Sequence, residues 1–240
     1  MRPAGFVTQR STYAEEARIH EAYARRGVTA RSYSWFDSGH LFMVQEIERR
    51  MLGALERHGL APLEAKKILE IGCGNGHWLR EFIKWGANPE NLTGVDVLAD
   101  RLAQARRLSP ATVSFIDGNA AELEFADETF DIVLQATVLT SILDAAFKRK
   151  VAAEMVRVLR PGGIVLWYDF HVDNPRNPDV RGIKRAEIAK LFPGCRIALE
   201  RITLLPPLLR RLARYSWLVC HALSAMPWAR THYLGAIRKP

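Results

Sequence analysis

The order of hydrophobic and polar positions along the chain predicts β-strands that alternate with α-helices. Short aliphatic runs end in glycine or polar residues, and apolar residues at helical spacing follow each of them. The predicted strand ends that carry such residues are Gly72, Asp96, Asp117, Gln135 and Asp169, and the helices between them include 78–85, 99–108 and 145–159. This alternation predicts an α/β fold with a mainly parallel, doubly wound sheet.

The sharpest feature of the pattern is a glycine-rich turn that follows the strand Ile68–Ile71. Its glycines are Gly72, Gly74 and Gly76. Such a turn lets a ligand lie against backbone amides at the start of the next helix. A dinucleotide motif needs a third glycine where this chain has His77, and Glu70 would crowd a pyrophosphate. The carboxylate instead favours a ligand with positive charge.

Two further stretches narrow the choice of family. Asp96 ends the next predicted strand and is suited to hold two ribose hydroxyls. Leu-Arg-Pro-Gly-Gly at 159–163 precedes the apolar strand 164–170. Together with Glu-x-Gly-x-Gly-x-Gly, these elements resemble the class I methyltransferases that depend on S-adenosyl-L-methionine (SAM). The resemblance covers residues 62–170.

The resemblance implies a Rossmann-like sheet of seven strands with an antiparallel last strand, N-terminal helices and a helical lid. It implies SAM as cofactor and S-adenosyl-L-homocysteine as product. Asp117 matches the acidic residue that faces the adenine amino group in the family. The residues expected around the cofactor are Tyr33, Glu70, Gly72, Cys73, Gly74, Asn75, Gly76, Asp96, Val97, Asp117, Gly118, Asn119, Ala120 and Gln135.

Besides the lid, the sequence predicts three parts. Residues 1–61 form an N-terminal helical cap, with helices at 11–26 and from Asp37 or Ser38 to about Gly59. Residues 62–204 form the SAM-binding core, and 231–240 form its closing strand. Tyr33 is the candidate for touching the cofactor, whereas Trp35 and Phe36 are expected to pack into the core.

Residues 205–230 are predicted to be a lid, and three interpretations of it stay open. The apolar residues between 208 and 228 can cover the core, bind an amphiphilic or anionic substrate, or dock on a membrane surface through neighbouring arginines.

Transfer of a methyl group to a hydroxyl needs a base near the end of the fifth strand. His171 is the first candidate because the imidazole pKa lies near neutrality, and Asp169 is the second, as its orienting partner or as a direct base. Asp169, Asp173 and Asn174 are similar in type to a magnesium site, but their spacing differs, so no metal is predicted.

Composition limits the possible partners. The 240 residues carry a formal net charge of +8, and residues 201–240 contain seven basic and no acidic side chains. Nucleic acid is not expected, because no reading module accompanies the charge. Three distant cysteines and a charged N-terminus favour a cytoplasmic location, with peripheral contact at the inner membrane face through the lid. The oligomeric state is left open.

The stretches 167–170, 174–178 and 230–233 resemble bacterial methyltransferases of surface polysaccharide or glycolipid assembly. This implies a small-molecule or glycosidic acceptor and O-methylation of a sugar hydroxyl. The alternatives are O-methylation of an aromatic or polyketide-like product, methylation of RNA, and a noncatalytic SAM-binding subunit.

Overall fold

The structure is a computed structural model that describes residues 4–25 and 34–240. The helices are α1 (Ala4–Arg25), α2 (Ser38–Arg57), α3 (His77–Lys84), α4 (Ala99–Leu108), α5 (Ala145–Val158), α6 (Arg185–Leu191), α7 (Pro206–Leu212) and α8 (Trp217–Ser224). The strands are β1 (Ile68–Ile71), β2 (Leu92–Asp96), β3 (Ser114–Asp117), β4 (Phe130–Ala136), β5 (Leu159–Phe170), β6 (Arg196–Leu204) and β7 (Arg230–Arg238). Single 3₁₀ turns cover Pro89–Asn91, Leu139–Ser141 and Pro227–Ala229.

Within the described residues the strands form one sheet of seven, in the order β3-β2-β1-β4-β5-β7-β6. β7 pairs antiparallel with both β5 and β6, and the other neighbours pair parallel. The predicted fold class is therefore confirmed. The strand order reverses at β1, so the carboxyl ends of β1 and β4 border the crevice in which such sheets bind ligands.

Helices cover both faces of the sheet and give it two hydrophobic cores. One core joins the sheet to α2, α3 and α4, and the other joins it to α5 and α6. All four side chains of β1 are buried because the strand lies between these layers. The helices thus fix the strand ends from both sides.

Asp37 caps α2 by accepting a hydrogen bond from the backbone N–H of His40 at 2.7 Å, as the sequence predicts. The fifth strand differs from the prediction, since it begins at Leu159 and not at Ile164. Leu159 pairs with Phe130, and a shift of register between Phe130 and Ile132 absorbs the Pro-Gly-Gly segment.

The lid consists of α7, α8 and the turn Pro227–Ala229, and it connects β6 to β7. Both strands meet it at the carboxyl edge of the parallel strands, because Leu204 pairs with Arg230 and Phe170 pairs with His232. A small core of its own joins the lid to α2, and its buried members are Phe42, Leu204, Leu209, Ala213, Cys220 and Ala229. The division into cap, core and lid remains a prediction.

Candidate active site

The glycine turn after β1 packs closely against its neighbours. Gly72 has φ +61°, and a Cβ atom there would lie 2.5 Å from Cγ2 of Val138. Gly76 has φ +74° at the start of α3, and its Cβ would lie 3.0 Å from the ring of Phe115. Neither the backbone conformation nor the space suits a larger residue. The turn is therefore restricted to glycine at both positions, directly before the first turn of α3.

Asp96 holds this turn to the end of β2. Its Oδ2 accepts a hydrogen bond from the N–H of Gly74 at 2.8 Å, and its Oδ1 accepts one from Leu98 at 2.9 Å. The backbone oxygen of Asp96 accepts from the N–H of Gly118 at 3.1 Å. The ends of β1, β2 and β3 are thus one connected unit.

Glu70 brings a second carboxylate to this unit. Its side chain is 2% exposed, and its Oε2 atom has no hydrogen-bond partner among the described residues. Burial, and next the carboxylate of Asp96, raise the pKa of Glu70 well above its usual value. A cationic group placed beside it would favour the ionised form.

Gln135 at the end of β4 is also fully buried. Its Oε1 accepts a hydrogen bond from the N–H of Val138 at 3.3 Å, while its Nε2 has no partner within the part of the chain that the structure describes. A buried amide nitrogen without an acceptor is costly. Gln135 therefore offers a donor at the switch point of the sheet.

The other predicted cofactor residues lie on the same edge with different exposure. Asp117 is exposed and in register with Asp96, and Asn75 is exposed in the turn. Cys73 is buried, and burial raises the pKa of its thiol. Gly118, Asn119, Ala120 and Val97 are half-buried. Tyr33 lies outside the described residues.

Helix α1 crosses this edge, and the sequence analysis did not identify its contacts. Glu16 accepts a hydrogen bond from Nδ2 of Asn119 at 2.9 Å, and Arg25 pairs with Asp179 at 2.8 Å. Tyr23 lies beneath the guanidinium of Arg101, 4.6 Å from the ring centroid.

Glu15 and Arg18 make the central contacts of α1. Oε1 of Glu15 accepts from the N–H of Leu143 at 2.6 Å, and Arg18 donates to the carbonyl of Ser141 at 2.5 Å. The helix thus bridges the ends of β3 and β4 and the loop after β5. The alternating charges in the sequence of α1 predict only a polar helix, because the local sequence does not show which charged residues bind distant partners.

The loop before α2 lies beside the glycine turn. The ring of Trp35 lies 5.6 Å from that of His77 and 5.3 Å from that of His40, and half of Trp35 is exposed. Phe36 is 99% exposed, so the prediction that it packs into the core is wrong. Burial lowers the pKa of His77 to about 4, which keeps its ring neutral.

The two candidate catalytic residues lie at the end of β5 and bind different partners. His171 is 8% exposed, and its Nε2 lies 3.1 Å from the carbonyl oxygen of Arg230. Since a carbonyl only accepts, Nε2 carries the proton and Nδ1 keeps the lone pair. Burial, and next the charge of Arg201, lower the pKa of His171.

Asp169 is bound to the turn after β4. Its carboxylate accepts from the backbone N–H of Thr140 at 3.1 Å, from the Thr140 hydroxyl at 2.5 Å and from the N–H of Phe170 at 3.0 Å. Burial raises the pKa of Asp169 to about 7, although these hydrogen bonds act in the opposite direction and lower it. In the described residues no hydrogen bond joins Asp169 to His171, and the carboxylate of Asp169 instead binds Thr140 in the Leu139–Ser141 turn.

The match to a known protein family covers the segment from β1 to the start of β5. Residues 68–163 match the methyltransferase domain family. With the fold, this match supports a class I methyltransferase and S-adenosylmethionine as its cofactor. Its bounds contain the glycine turn, Asp96, Asp117 and Gln135.

Curated relatives of this chain come from bacteria and fungi. A phthiotriol/phenolphthiotriol dimycocerosates methyltransferase of Mycobacterium ulcerans is 38% identical over 47% of this chain and 40% of its own length. Sterol 24-C-methyltransferase of Aspergillus fumigatus is 30% identical over 72% of this chain and 49% of its own. Fatty-acid O-methyltransferase of Mycolicibacterium smegmatis is 37% identical over 45% of this chain and 39% of its own length. The chain spans about half the length of these relatives or less.

Solved structures agree on the fold. The N-methyltransferase NodS from Bradyrhizobium japonicum superposes with a TM-score of 0.60 over 82% of this chain and 97% of its own, at 18% identity. At this identity the likeness concerns the fold alone.

The residues at this edge of the sheet fit SAM on three observations. The glycine turn has no room for side chains, Asp96 lies at the end of β2, and Glu70 has a buried oxygen without a partner in the described ranges. A nearby carboxylate suits the cationic groups of SAM.

Two further features of the described residues concern metal ions and membranes. Among residues 4–25 and 34–240, no three His, Cys, Asp or Glu side chains are grouped to hold a metal ion. None of the described helices has the length and apolar character needed to span a bilayer.

Proposed function

We propose that this chain transfers a methyl group from SAM to an oxygen of an amphiphilic, lipid-like acceptor. The observation that carries the proposal is the buried, unpartnered oxygen of Glu70 beside the glycine turn. A cationic ligand would supply the missing partner and favour the ionised form of Glu70.

The cofactor would be held by groups from four strand ends. The glycine turn and Glu70 would border its methionine part, Asp96 would bind its ribose and Asp117 the adenine amino group, with Gln135 beside the crevice. When bound, SAM supplies an electrophilic methyl group on a sulfonium. Because Asp96 and the turn are already joined by the bond from Gly74, this part of the site is preorganised.

His171 is the proposed base for a hydroxyl acceptor. Its lowered pKa keeps the ring neutral near pH 7, and its bond to the Arg230 carbonyl leaves Nδ1 as the nitrogen that can take a proton. Asp169 acts as a positioning residue, since Thr140 and Phe170 occupy its oxygens.

Two observations favour a lipid-like acceptor. The relatives are named for a dimycocerosate lipid, a sterol and a fatty acid. The lid at the same edge of the sheet is rich in leucine and tryptophan and contains no acidic residue. A glycolipid hydroxyl, the acceptor class implied by the sequence resemblance, stays within this proposal, and an aromatic natural product is not favoured.

A methyl-transfer assay tests the proposal. The purified protein is incubated with isotope-labelled SAM and, separately, with a long-chain fatty acid, a sterol, a glycolipid, the matching free sugar and a catechol. We expect label in at least one lipid and none in the free sugar or the catechol. SAM binding in calorimetry with no transfer to any acceptor would support the noncatalytic subunit, and absence of SAM binding would contradict the whole assignment.

A further inference from the structure

The outer surface of the lid carries large hydrophobic side chains that are exposed. Leu218 is 79% and Trp228 is 76% exposed. The set, here called the lid patch, consists of Leu205, Tyr215, Leu218, Val219, Met226 and Trp228. Burying such side chains in an apolar environment is favourable, so a dense group of them on a surface indicates a contact.

The lid patch is not needed to hold the lid in place. In α8, Leu218, Val219 and Ala222 lie on the outer face, while Cys220 and Ser224 lie buried on the opposite face. The ring of Phe42 on α2 packs against that of Trp217, with centroids 5.5 Å apart. The lid therefore has a complete inner contact, and its outer hydrophobic residues are left for another partner.

Positive charge accompanies the lid patch. Arg210, Arg211 and Arg214 are exposed, and none of them forms an ion pair with any residue of the described ranges. Arg214 lies over the ring of Tyr215, 4.7 Å from its centroid. Since no acidic residue occurs between 201 and 240, nothing in this segment neutralises the arginines.

The cap also carries an exposed hydrophobic residue, and it lies close in the sequence to a contact with Arg210. A Cβ atom on Gly39 would lie 2.8 Å from the Cα of Arg210, so the start of α2 touches α7. Phe36, three positions before Gly39, is 99% exposed. Exposed hydrophobic residues and basic residues from two segments thus lie at the edge of the sheet where the crevice opens.

We propose that the lid patch docks this protein on the surface of an anionic phospholipid membrane. Exposed Leu, Trp and Tyr beside arginines are the combination that inserts at the level of the head groups while the cations meet lipid phosphates. A second copy of the chain fits less well, because a symmetric contact would bring like-charged arginines together. The proposal does not depend on the methyl-transfer reaction.

Vesicle flotation with the full chain tests the proposal. Vesicles of two parts phosphatidylcholine to one part phosphatidylglycerol are compared with pure phosphatidylcholine, without SAM or acceptor. The variants are Leu218→Ser with Trp228→Ser, and Arg211→Gln with Arg214→Gln. Matched controls are Leu52→Ser with Leu108→Ser, and Arg107→Gln with Arg196→Gln, which change exposed residues away from the lid.

We expect the wild type to float with the anionic vesicles and to be released by high salt. The arginine variant should bind about 25-fold more weakly, at about fivefold for each charge near an anionic surface. The Leu218 and Trp228 variant should lose roughly tenfold or more. The controls should bind like the wild type, and unchanged melting temperatures show that all variants are folded.

Three results would overturn the proposal. They are no flotation of the wild type, equal loss in the variants and their controls, and equal binding to neutral vesicles. A concentration-dependent dimer that Leu218→Ser with Trp228→Ser abolishes would assign the lid patch to a second copy instead. Sedimentation velocity measures this on the same samples.

Discussion

At the scale of single residues, Asp96 has two roles that one substitution affects together. Its carboxylate holds the Gly74 amide and is proposed to bind the ribose. We expect Asp96→Ala to weaken SAM binding by more than about tenfold, because charge-assisted hydrogen bonds are lost. Calorimetric titration with SAM measures the change, and Asp100→Ala, an exposed carboxylate in the first turn of α4, is the control. Unchanged affinity in Asp96→Ala would contradict this placement.

His171 allows a sharper test, because acceptors differ in whether a proton must be removed. A fatty acid is already ionised near pH 7, whereas a hydroxyl is not. We expect His171→Ala to lower kcat for a hydroxyl acceptor by about 100-fold or more, and to affect a fatty acid much less. SAM affinity should stay unchanged. Equal losses with both acceptors would make His171 a structural residue that holds the start of β7, through its bond to Arg230.

At the scale of elements, some parts of the site could be predicted and others could not. The glycine turn and Asp96 follow from local sequence, since the turn needs glycine and Asp96 ends a strand next to it. The contacts of α1 depend on partners more than 100 residues away, as between Glu15 and Leu143. The exposure of the outer face of α8 could not be predicted either. The sequence of an apolar helix shows that it has a hydrophobic face but not what covers that face.

The position of α1 leads to a prediction about cofactor exchange. Glu15 accepts bonds from Leu143 and Arg18, and Arg18 reaches the carbonyl of Ser141, so one carboxylate organises the contact. We expect Glu15→Ala to release α1 from the end of β4 and to raise the dissociation rate of SAM by about fivefold or more, since a hydrogen bond to a charged group is worth about 1.5 kcal/mol. Stopped-flow displacement of SAM measures the rate.

Glu21→Ala is the matched control for this prediction. Glu21 lies on the same helix and is mostly exposed, and its ion pair within the described residues is with Arg25, four residues away, at 3.7 Å. Because this pair is exposed and lies within one helix, its removal should leave SAM dissociation as in the wild type. If both variants release SAM equally fast, helix propensity and not the docking of α1 controls the exchange.

At the scale of the whole molecule, buried titratable groups couple stability to pH in opposite directions. Burial raises the pKa of Asp169 to about 7, so its favourable share of stability is present at low pH and is lost as the pH rises through 7. Burial lowers the pKa of His232 to about 3 and that of His77 to about 4. The stability that these two neutral imidazoles contribute is present above pH 6.5 and is lost as the pH falls toward these pKa values.

His232 gives the clearest measurement of this coupling. Its ring stacks on Tyr168 with centroids 4.9 Å apart, and its Nδ1 lies 2.9 Å from the Thr231 hydroxyl. Between pH 6.5 and pH 4.5 only the unfolded imidazole takes up a proton, which costs up to about 2.7 kcal/mol of stability. His232→Phe keeps a ring in place and removes this cost, so its free energy of unfolding should fall less steeply with acid than that of the wild type.

Urea unfolding at several pH values measures the slope, with His20→Phe, an exposed site on α1, as control. Because the difference in slope is independent of any stability lost through repacking, parallel curves for wild type and His232→Phe would show that His232 can be protonated within the folded protein.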